Sequence, residues 1–213
     1  MSGQLEEITG DETIEELKEK LNQELKVGSK VGIDKRLDFS IDLSTVFGKK
    51  ALEAVKNGKW LKFLVEESDM VADESNDNEI ETYSDYASRV AEIVKKYLAV
   101  AGRWDKLARD ESKNYQDTLK RLFGTHQGVA ESFLAKVIEK TKGESERNTF
   151  VSALQNQGFD FIEGFKIEID TINGEEQIIR ISFKKEKDGK ILYEYDETVP
   201  CEVIYNLILE KKE

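Results

Sequence analysis

Between Tyr83 and Gly124 the apolar residues recur at spacings of three and four: Tyr86, Val90, Ile93, Tyr97, Ala101, Trp104, Leu107, then Tyr115, Leu119 and Leu122. Forty residues on a helical period, unbroken, amount to ~60 Å of helix. No other stretch is as long or as clearly patterned, so the shorter elements on either side are expected to pack along it. Gly102 and the polar run Arg109 to Asn114 are the places where it would break into a hairpin.

The N-terminal side reads as helices and one short strand. Residues 1–10 have no period. Thr13 to Glu16 has capping-box spacing, and Ile14, Leu17, Leu21 and Leu25 make a narrow apolar stripe after it. Leu37, Phe39 and Ile41 alternate with Asp38, Ser40 and Asp42, which predicts a half-buried strand. Ser44 is then placed to cap a helix through Val55 that turns Phe47, Leu52 and Val55 inward, with Gly58 beyond its end. Trp60 to Val65 suits either a buried strand or a helical turn.

C-terminal to Gly124, the spacing predicts a helix with Val129, Phe133, Leu134, Val137 and Ile138 inward and Gly143 as its stop. A shorter helix carrying Phe150, Val151 and Leu154 ends at Gly158. The period then changes to two. Phe165, Ile167 and Ile169 alternate with charges, as do Ile179, Ile181 and Phe183, and Ile191, Tyr193 and Tyr195 follow. Asn173-Gly174 and Asp188-Gly189 punctuate these runs with the residues that tight hairpin turns need, so a three-stranded antiparallel meander is expected. The segment 199–209 is a fourth strand or a closing helix, and Pro200 near its start favours the helix. The fold class is therefore α+β: a helical region over 1–158 organised on 83–124, and a meander with its closing element over 159–213, packed as one continuous unit.

Charge limits what such a chain binds. The formal net charge is −12, which argues against a generally basic nucleic-acid binder, yet its distribution is uneven. Residues 61–82 carry a net −7 and residues 83–124 a net +3. In the second span Arg89, Lys96 and Arg103, then Lys106, Lys113 and Lys120, stand seven apart like a phosphate-binding stripe. Asp85, Glu92, Asp105 and Asp117 each precede a base by four residues and are expected to neutralise much of it. No run is long and apolar enough to span a bilayer, the start of the chain lacks the pattern of a secretory leader, and the lone Cys201 suits a reducing setting; a cytoplasmic location with no membrane partner is expected.

Residue inventory removes most catalytic templates. One histidine, His126, and one cysteine, Cys201, leave no histidine-rich or zinc-ribbon site, and no phosphate loop or dinucleotide fingerprint is present. His126 reads as a surface or capping residue and Cys201 as a small buried apolar one. No cofactor is expected. The stretch from Glu66 to Glu81 holds eight acids and no base and reads as a solvated loop. Within it Asp73, Ser75 and Asp77 have the oxygen spacing of the first half of an EF-hand calcium loop and are the candidate metal ligands. The twelfth position is Ser84 where a carboxylate is needed, and Asp85 falls one residue late. The same acids, Glu66, Glu67, Asp69, Asp73, Glu74, Asp77, Glu79 and Glu81, are the candidate partner-binding residues. A non-enzymatic interaction or assembly protein that binds another protein is the leading expectation. The alternatives are an acidic, nucleic-acid-mimicking inhibitor of a basic nucleic-acid-binding protein, and an enzyme that uses carboxylates with a divalent metal. Direct nucleic-acid binding is disfavoured by the net charge.

Overall fold

The computed structural model of the chain describes residues 34–75, 80–112, 115, 118–172 and 176–210. Residues Arg36–Glu213 form one compact unit, and Met1–Lys35 forms another. The helix expected from Thr13 and the turn at Asn173-Gly174 lie outside the described residues.

A short 3-10 turn (Lys35–Leu37) runs into an irregular strap at the start of the larger unit. Leu37, Phe39 and Ile41 turn toward the core and their neighbours Asp38, Ser40 and Asp42 toward solvent, as the alternation requires. Among the described residues no strand pairs with this segment, which forms a strap instead of the expected strand. It is pinned by side chains: Arg89 Nη2 donates to the Asp38 carbonyl at 2.7 Å, and Thr125 Oγ1 to the Leu37 carbonyl at 2.7 Å. Phe39 meets Trp60 edge-on, with centroids 5.7 Å apart.

Helix α1 (Val46–Lys56) is capped by Thr45, one residue later than expected; its Oγ1 accepts from the Gly48 N–H at 2.9 Å. Phe47 is buried as expected, whereas Leu52 and Val55 face solvent. Trp60 to Val65 resolves as helix α2 (Trp60–Glu66), which buries five of its seven residues. Helix α3 (Ser68–Ser75) then occupies half of the acidic stretch, correcting the expected loop. Ser68, Val71 and Ala72, spaced three and four apart, give it a buried face. The exposed acids repel one another only weakly through water and salt, so that face decides the conformation.

Helix α4 (Tyr83–Ala108) is the long central element, continuous through Gly102. It stops well before Gly124. Past Arg109 the Asp110 carboxylate accepts from both the N–H and the Oγ of Ser112, a local turn that competes with another helical turn. The apolar residues beyond fold back: Phe123 packs on Tyr97 and Tyr115 on Trp104, while Leu122 is 84% exposed. Helix α5 (Val129–Lys142) follows the predicted boundaries, with Gly143 as its stop. Helix α6 (Glu144–Ala153) comes next but ends at Ala153, short of the expected Gly158, because the chain turns at residues 154–157. The five inward residues of α5 are fully buried, each worth ~1.5–3 kcal/mol of transfer free energy.

Strands β1 (Lys166–Ile172), β2 (Glu176–Lys187) and β3 (Lys190–Val199) make the antiparallel meander in the order β1-β2-β3. Asp188 and Gly189 both have positive φ (52° and 73°), as the mirror-image hairpin turn demands. Helix α7 (Cys201–Leu209) closes the chain and packs on α4. The inner face of β2 and β3 (Ile179, Ile181, Phe183, Tyr193, Tyr195, Val199) shares one core with Phe133 and Phe150 of α5 and α6. Among the described residues no helix is long and apolar enough to cross a membrane.

Candidate functional site

The expected site residues do not converge. Glu66 ends α2 and lies 3.7 Å from Lys62, and Glu67 follows it in solvent. Asp69 turns inward: its carboxylate accepts from the Ser84 N–H at 3.3 Å and from Ser84 Oγ at 2.7 Å, serving the first turn of α4. Asp73, Glu74 and Ser75 are in the last turn of α3, where Ser75 Oγ donates to the Ala72 carbonyl. Helical backbone there departs from the loop an EF-hand uses for its first ligands. Asp77 and Glu79 lie outside the described residues. Glu81 pairs with Arg89 at 2.9 Å. His126 is at the surface, 3.8 Å from Asp38, and Cys201 is half-buried. Among the described residues no three His, Cys, Asp or Glu side chains gather as metal ligands.

A different cluster stands out where α6 crosses into the sheet. Glu131, in the first turn of α5, has no exposed surface. Its Oε2 accepts from the Gly128 N–H at 2.8 Å, closing the helix start. Its Oε1 accepts from the Phe159 N–H at 2.7 Å, twenty-eight residues on. Gln127 Nε2 donates to the Phe159 carbonyl at 3.1 Å, so both backbone groups of Phe159 are held. Burial raises the Glu131 carboxyl above its ordinary value, against the opposing pull of these N–H groups. Gly158 is required beside it: its φ is 126°, and a Cβ there would come within 2.7 Å of Glu131 Oε1.

This anchored backbone leads into the turn Asp160-Phe161-Ile162-Glu163. The Glu163 N–H donates to the Asp160 carbonyl at 3.0 Å, and the Asp160 N–H donates to Glu163 Oε2 at 2.9 Å. Lys185 clamps both ends, its Nζ donating to Asp160 Oδ2 at 2.5 Å and to Glu163 Oε2 at 2.8 Å. On β2, Lys185 continues the inward row of Ile179, Ile181 and Phe183 and is 5% exposed. Burial alone would lower its ammonium pKa. The two carboxylates outweigh that and hold it above the ordinary lysine value.

The turn presents two large apolar side chains to water, Phe161 at 79% exposure and Ile162 at 70%. Ile162 has φ 65°, a left-handed position where Gly or Asn ordinarily sits and a β-branched residue is strained. Sequence reasoning passed over this tip, because four residues between a helix and a strand carry no period. The available signal was Lys185, a charge on an otherwise apolar strand face that requires acidic partners.

No family model, no curated protein and no solved structure matches the chain.

Proposed function

We propose that the chain is a non-enzymatic interaction protein that docks on another protein through the Phe161–Ile162 tip. The observation that carries this reading is the combination of exposure with fixation. Two large apolar residues stand in solvent on a turn locked by a buried lysine, at a strained backbone position. A rigid apolar anchor loses little conformational entropy on binding, and a few such residues carry most of the energy of protein interfaces. Strain of ~1–3 kcal/mol at a functional position is the usual counterpart of pre-organisation.

The acidic-inhibitor alternative rests on a smaller surface, since Asp69 and Glu81 are committed within the fold. For a carboxylate–metal enzyme, the acid pair Asp160 and Glu163 already has the Lys185 ammonium where a metal cation would sit.

A photo-crosslinking phenylalanine analogue placed at 161 in producing cells tests the proposal, with the same analogue at the exposed Val55 of α1 as the control. A discrete adduct at 161, absent at 55 and diminished by Lys185→Met, is expected. The same pattern from both positions, or no adduct at 161, would overturn it.

A further inference from the structure

The geometry points to a second site, an anion-binding recess between the C-terminal half of α4, the start of β2 and α7, whose ligand is a polyphosphorylated small molecule. On α4, Lys95, Ala99, Gly102, Arg103 and Lys106 fall at i, i+4, i+7, i+8 and i+11, one face of the helix. Gln177 and Tyr205 form the opposite wall, and the space between is ≈ 360 Å³. Gln177 Nε2 donates to the Leu98 carbonyl at 2.5 Å, fixing the strand entrance against the helix. Small Ala99 and Gly102 on the helix leave the concavity open.

The charge in this recess is what favours an anion. The chain as a whole is strongly acidic, yet three cations line the recess and no acid does. On α4 Arg89 is matched by Glu81, and Arg109 just past its end by Asp105, while Lys96, outside the recess, lies 5.9 Å from the centre of the Tyr97 ring. Among the described residues no ion pair involves Lys95, Arg103 or Lys106; the Lys95 ammonium instead lies 5.7 Å from the centre of the Tyr205 ring. The seven-residue stripe in the sequence is thus not a continuous basic band, because Arg89 is spent on the strap and on Glu81. What remains is local, a shallow recess.

That shape selects the ligand. Lys95 and Lys106 are eleven residues apart, about 16 Å along the helix axis, too far for one monoanion to bridge. The recess is shallow and open, with its three cations exposed at the rim, and its small size suits a small polyanion. Arg103 offers a fork for one phosphate and the two lysines offer point charges for others. The partly exposed Tyr205 ring is available to an organic moiety attached to the phosphates.

Titration calorimetry on the full chain with inorganic triphosphate and, separately, a nucleoside triphosphate distinguishes the sources of that chemistry. Both are expected to bind, with affinity falling as salt rises. Arg103→Ala with Lys106→Ala should weaken both at least tenfold, while Lys184→Ala with Lys187→Ala, the same charge change on the hairpin, should leave both unchanged. Tighter binding of the nucleotide, lost in Tyr205→Leu, would assign an organic polyphosphate; equal affinities would assign recognition of the phosphate chain alone. Either supports the recess. Absence of heat from both ligands at millimolar concentration, or equal losses in the two double variants, would overturn it. Circular dichroism of each variant separates loss of binding from loss of fold.

Discussion

Each oxygen of the buried Glu131 satisfies a backbone N–H in a different part of the chain. Glu131→Gln turns an amide NH₂ toward one of those donors and should cost about 1–3 kcal/mol in denaturant unfolding. Ile162 works in the opposite sense. Its side chain is mostly in water, so Ile162→Asn gives up little burial and relieves a left-handed strain. That variant should gain about 1 kcal/mol of stability and lose the crosslinked adduct, a trade expected if Ile162 is kept for docking and not for the fold. Lys185 adds a pH signature. Its proton is held more tightly in the native state than in the unfolded chain. Its contribution is therefore fully present below about pH 10.4 and is lost as pH rises through the higher native value. Unfolding midpoints of the wild type and Lys185→Met should converge over that alkaline range; a constant gap would contradict the clamp.

At the scale of elements, α4 depends on what starts it and what stops it. The Asp85 carboxylate accepts from the Thr82 N–H and Oγ1, both at 2.9 Å, while Ser68 Oγ accepts from the Tyr83 N–H. Asp85→Ala should cost about 1 kcal/mol, read from thermal or denaturant unfolding. The four-residue spacing had suggested Asp85 as a partner for Arg89; capping takes the acid, and Glu81 takes the arginine. Helices α5 and α6, the Asp188-Gly189 hairpin and the closing helix were legible because period and punctuation agree there. Residues 109–124 were not. Their apolar positions keep the helical count, but Tyr115 and Phe123 reach Trp104 and Tyr97 by folding back instead of continuing the rod. The strap at 37–41 shows the complementary case: its alternation reports which side is buried, and pairing with another strand is a tertiary fact that alternation does not contain.

Across the whole molecule, the meander and the helices meet in one aromatic cluster. Phe150 stands edge-on to Phe183 at 5.6 Å, and Phe159 lies 5.1 Å from Phe183. The candidate tip is attached to that junction through Phe159, so its rigidity is inherited from the core and not from its own four residues. This explains why the site was hidden in the sequence. Gly128 and Glu131 are close enough in the chain to suggest a cap, but the contacts from Glu131 to Phe159 and from Lys185 to Asp160 exist only once helix and sheet are assembled. Backbone ¹⁵N relaxation of Phe161 and Ile162 tests the central claim of a pre-organised apolar anchor most directly. Order parameters near ~0.85, matching the strands, are expected in the wild type, with a fall below ~0.6 in Lys185→Met. Values already below ~0.6 in the wild type would contradict it.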